Sequence, residues 1–122
     1  MNQFKEAISP DTSNRADIHS PVYLESSHVC ISHEIAAQVF GNVSVILSVY
    51  YPAEKTFFLA PAGAEYFIRI HKTTQQILKT RNAAGDRSVA IHDLILDHGI
   101  DEDDRILNYS IEAALNVLKV TF

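Results

Sequence analysis

Tryptophan is absent from this 122-residue chain, and cysteine and methionine occur once each. A lone Cys30 closes no internal disulfide and excludes a cysteine-built zinc site. Four glycines and four prolines exclude a collagenous or Pro/Gly-rich low-complexity chain. They also leave little material for a glycine loop that cradles a nucleotide. No apolar run approaches the ~18 residues of a membrane span, and Met1 to Pro21 lacks the apolar centre of a signal peptide. A cytoplasmic protein without a membrane partner is expected. No Gly-x-Ser-x-Gly nucleophile elbow is present, so acyl-transfer chemistry of that type has no foothold.

What is present fits one globular domain: 47% hydrophobic and 20% charged residues. A chain of this size buries roughly two-thirds of its unfolded surface, enough for a core without covalent staples. Residues 1–27 are polar and carry Pro10 and Pro21, which predicts a partly flexible arm. Within it Phe4 and Ile8 stand four apart, the spacing of one helical turn.

From His28 onward the pattern becomes regular. Val29 and Ile31 alternate about Cys30 as a short strand does, and Glu34 to Phe40 gives a short helix stopped at Gly41. Val43 to Tyr51 is β-branched and aromatic, and Lys55 to Ala60 returns after Pro52 as the second strand of a hairpin. Tyr66, Phe67, Ile70, Thr74, Ile77 and Leu78 recur at spacings of three and four, which predicts one amphipathic helix over 64–80. Asn82 to Gly85 then reads as a loop. Val89 and Ile91, Asp93 to His98, Arg105 to Ile111 and Leu118 to Phe122 repeat strand, helix and hairpin about 60 residues on. The fold class expected is α+β: two strand–short helix–β-hairpin units, 28–60 and 87–122, joined by a longer helix in a single domain over 28–122. One such unit leaves open strand edges, so the second unit or a second copy must cover them.

Charge is distributed unevenly along the chain. The total is 10 − 15 = −5. From Ala64 to Arg87 five bases face two acids, +3, whereas Asp93 to Asp104 carries six acids and no Lys or Arg. The basic stretch predicts a footprint for phosphates, carried by Lys79, Arg81 and Arg87. The overall negative charge opposes nonspecific nucleic-acid binding, and the acidic run predicts instead a surface for a basic protein. That run lacks the alternating oxygen ligands and central glycine of a calcium loop. Six histidines are scattered at spacings that share no helix face, with His33-Glu34 and His92-Asp93 as adjacent pairs. Neighbours on a helix point in different directions, so these pairs are not acid–base dyads. No enzyme activity, metal or cofactor is expected.

The second unit, RSVAIHDLILDHGIDEDDRILNYSI over residues 87–111, resembles the SpoVT/AbrB-like swapped-hairpin proteins. It shares their basic residue, β-branched strand, short helix, Gly-hydrophobic stop and acidic turn before Arg. Two units in one chain look most like the MraZ arrangement. Where those proteins place Gly-Arg before the first strand and Pro after it, this chain has Ser27-His28 and Ser32, then Asp86-Arg87 and His92. The resemblance implies a swapped-hairpin barrel and a homodimeric transcription regulator on double-stranded DNA, with Arg87 and Arg105 at the basic positions. The competing expectation is an acidic protein-interaction module without nucleic acid.

Overall fold

The computed structural model describes residues 21–122; the Phe4–Ile8 turn lies outside them. Ten strands, all paired antiparallel, form two five-stranded sheets flanked by three short helices. Strands β1 (Val22–Glu25) and β2 (His28–Ile31) form a tight hairpin through Ser26 and Ser27, both in the left-handed region. Of the arm predicted over 1–27, residues 22–27 belong to this hairpin, and residues 1–20 lie outside the described residues. Residues 22–25 form an interior strand of the first sheet, because Val22 and Leu24 alternate toward the core and are fully buried.

Helix α1 (His33–Val39) starts at Ser32, whose hydroxyl accepts the Ile35 N–H, and ends at Gly41 with φ 63°. The strong strand signal becomes β3 (Val45–Tyr51), joined by a 3₁₀ turn at Pro52–Glu54 to β4 (Thr56–Pro61). Six pairs, from Ile46↔Pro61 to Tyr51↔Thr56, lock the hairpin register.

The single helix expected over 64–80 is replaced by helix α2 (Glu65–Ile70), strand β5 (Thr74–Ile77) and strand β6 (Lys79–Thr80). Of the supposed apolar stripe, Phe67 and Leu78 are buried, but Tyr66, Ile70 and Ile77 are 53%, 53% and 58% exposed. The deciding factor is the open edge of β3. Pairing Val45–Ser48 with Thr74–Ile77 satisfies a row of backbone groups that a helix would leave unmatched. His71 fixes the transition, taking an extended conformation with its ring held between Phe58 and Phe67.

The second half is strand β7 (Arg87–Ala90), helix α3 (His92–His98), strand β8 (Arg105–Ile106), strand β9 (Asn108–Glu112), a 3₁₀ turn at Ala113–Leu115 and strand β10 (Val117–Thr121). It repeats the first half in detail. Gly99 ends α3 with φ 62°, as Gly41 ends α1, and Lys55 and Asn116 leave their 3₁₀ turns at φ 52° and 54°. Val29 pairs with Val89 in one sheet and Phe58 with Lys119 in the other, so equivalent strands of the two halves meet side by side.

The sheet orders are β6-β7-β2-β1-β8 and β5-β3-β4-β10-β9. The α+β class is as expected, but the described residues form no closed barrel. The main core lies between the sheets and gathers Val22, Leu24, Val29, Ile46, Phe57, Leu59, Val89, Leu118 and Val120. A smaller cluster of Leu47, Ala60, Phe67 and Val117 covers the other face of β3 and β4. The second face of the apolar strand is thus covered by Phe67 of α2, beside Val117 from β10 of the same sheet.

Candidate functional site

The four basic residues singled out from sequence are not brought together. Arg87 is 8% exposed. Its Nη2 donates to the carbonyls of Val43 and Leu78 at 2.8 Å each, and its Nε donates to the Lys79 carbonyl at 3.4 Å. That guanidinium ties β7 to the segments entering β3 and β6. Arg105 turns its Nη1 onto the carbonyls of Asp101 and Asp103, at 2.7 and 2.9 Å, and so shapes the acidic loop from within.

Arg81 lies across the outer face of the first sheet. Its Nη1 donates to the Tyr23 hydroxyl (3.0 Å) and to the Cys30 sulfur (2.7 Å), and its Nη2 reaches Glu25 at 3.2 Å. Beneath it, burial pushes the Cys30 thiol up to about 11, with Arg81 acting in the opposite direction. The thiol is therefore protonated at neutral pH, and nucleophilic character is suppressed. Of the four candidates, only Lys79, exposed on β6, has a side chain without a partner among the described residues. Lys79 and Arg81 do share a concavity of about 410 Å³ with His28 and Ser88.

The acidic run behaves oppositely. Asp101 Oδ1 accepts the Asp103 N–H and Asp104 Oδ1 accepts the Ser26 N–H. Among the described residues no Lys or Arg forms an ion pair with the carboxylates of Asp93, Asp97, Asp101, Glu102, Asp103 or Asp104. The chain runs straight from these acids into β8 and β9. Strand β9 pairs with β10 on one side. Its outer edge has no strand partner among the described residues, whereas β3, its counterpart in the first half, is covered by β5. Tyr109 stands exposed on β9 and is opposite Val120, on the side that faces the core, while Ile106, just before it in the chain, stands exposed on β8 of the other sheet.

Among the described residues no three His, Cys, Asp or Glu side chains converge as a metal would need; His19 lies outside them. His33 pairs with Asp86 across the two halves, its main-chain and ring nitrogens 2.8 and 3.2 Å from Asp86 Oδ1. Asn82 donates to the other carboxylate oxygen, and these bonds hold the Asp86 carboxyl below its usual range. A cavity of about 330 Å³ beside α3 includes Ser48, Gln76 and His92. Its buried hydroxyl is satisfied: Ser48 donates to Gln76 Oε1 at 2.7 Å, and Gln76 Nε2 donates to the Ala90 carbonyl.

His71, which the spacing argument passed over, is bonded through Nδ1 to the Tyr51 hydroxyl. Burial lowers its pKa below the ordinary 6.5. A base whose folded pKa is depressed adds stability that is complete above 6.5 and is lost as pH falls through the folded value. Thermal midpoints measured from pH 7.5 to 5 are expected to decline, with a shallower decline in His71→Phe. Equal slopes in the two proteins would show that His71 does not couple to folding. Asp86 acts in a separate window, below about pH 4.

No protein-family model matches the chain, and neither the curated proteins nor the solved structures yield a match.

Proposed function

We propose that the protein is a non-enzymatic interaction module that takes an extended, basic segment of a partner protein along the outer edge of β9. The observation that carries this reading is the open edge itself: among the described residues β9 lacks the neighbour that β5 supplies to β3. An added strand gains main-chain hydrogen bonds there and an apolar contact with the exposed Tyr109. The acids supply the partner's chemistry. Asp101 to Asp104 precede the edge and Glu112 ends it, so alternating Lys or Arg side chains meet opposite charge. Of the basic candidates, by contrast, Arg81, Arg87 and Arg105 are engaged within the fold.

Amide chemical shifts recorded during titration with a Lys/Arg-rich, β-branched peptide test this reading. The largest changes are expected over residues 101–112. Changes confined to other elements would sink it.

A second reading, the DNA-binding regulator implied by the AbrB-like resemblance, is favoured by the recurrence of strand, helix and hairpin and by Lys79 and Arg81 sharing one concavity. In it Lys79 and Arg81 carry the phosphate contacts, while Arg87 and Arg105 serve the fold. The homodimer belongs to this reading as well.

A further inference from the structure

We propose that the outer face of the first sheet binds the phosphate group of a small phosphomonoester, in the concavity bounded by Lys79, Arg81, His28 and Ser88. The strand register builds this place. Lys79 pairs with Ser88, Ser88 with Cys30 and Cys30 with Tyr23, so one row of side chains crosses four strands on a single face. His28 and Glu25 lie two residues along on the same face.

Ser88 points to a ligand. It is 5% exposed and lines the concavity, yet its hydroxyl has no hydrogen-bond partner among the described residues. A buried polar group is normally paired, and one left single invites an acceptor brought from outside. Two donors stand around it. The Lys79 ammonium has no partner among the described residues, and Arg81, held by Glu25, Tyr23 and Cys30, is pre-set in place. His28 is oriented by its own Nδ1, 2.8 Å from the Ser26 carbonyl, which leaves Nε2 unoccupied by any described residue.

With Glu25 counted against Lys79 and Arg81 the site carries a net positive charge, as an oxyanion needs. A volume of about 410 Å³ is the size of a small-molecule site. A concavity suits a terminal phosphate, whereas a duplex presents its phosphates along a convex ridge. Charge-assisted bonds to phosphate are short and strong, so few contacts suffice.

The test is a titration of the full chain with inorganic phosphate and separately with glycerol 3-phosphate, each against chloride at equal ionic strength. Amide shifts should saturate at Lys79, Ser88 and His28. A tighter response to the ester than to inorganic phosphate would assign contacts to the organic part, and an equal response would assign the site to the phosphate group alone. Lys79→Gln and Ser88→Ala are each expected to weaken binding about tenfold while leaving the thermal midpoint without phosphate unchanged. Three results would overturn the proposal: no saturable change over chloride, binding undiminished in both variants, or a response to duplex DNA with none to either small phosphate.

Discussion

Arg87→Met is expected to destabilise the protein by about 3 kcal/mol, although Met matches much of the arginine stem in volume. The loss comes from three carbonyls rather than from an ion pair. Val43, Leu78 and Lys79 present their oxygens to one buried guanidinium, and Met leaves them without donors in a site too enclosed for full hydration. No carboxylate among the described residues pairs with Arg87, so the planar fork of donors is what the site uses. Arg87→Lys restores the charge but not the fork, and is expected to recover only part of the loss. Urea unfolding with an unchanged m-value measures both. A cost below about 1 kcal/mol would show that the carbonyls find water instead.

The second large effect concerns the acidic loop. Replacing Asp101, Asp103 and Asp104 by Asn and Glu102 by Gln removes four charges while keeping the oxygens that accept from Asp103 and Ser26. The fold is expected to persist, because Arg105 grips main-chain carbonyls that the substitutions do not alter. Affinity for a basic peptide is expected to fall about 30-fold at low salt, roughly 0.5 kcal/mol per charge. The difference from the parent protein should shrink near 0.15 M salt, where screening acts within about 8 Å. Unchanged affinity at low salt would place the partner elsewhere.

Much of the fold was legible in the sequence because local pattern and tertiary demand agreed. Val45–Tyr51 is β-branched and aromatic, Gly41 and Gly99 each sit where a left-handed stop is needed, and each recurs in the other half. The segment 65–80 was not legible, because its spacing of three and four also fits two short strands once Thr74–Ile77 is needed beside β3. A periodicity count has no knowledge of an open edge whose pairing residues lie 26 to 32 positions away in the chain, from Ser48↔Thr74 to Val45↔Ile77. The sites show the same limit. Arg87 looks like a surface cation in a linear basic stretch, yet it is consumed by carbonyls from distant segments, and Arg105 is consumed by carbonyls of the acidic loop before it. Tyr23, Glu25 and Ser88 carry no motif, and their relation to Arg81 exists only in the strand register. Asp86 left one trace, since the Asn82-to-Gly85 loop places it where Asn82 can fold back on it.

The most direct measurement is a salt titration of the full chain against two labelled probes, a Lys/Arg-rich extended peptide and a randomised DNA duplex. Binding through the β9 edge predicts peptide affinity that declines with salt and no retention of duplex even at low salt. Retention of the duplex with a steep salt slope, and no binding of the peptide, would contradict the account.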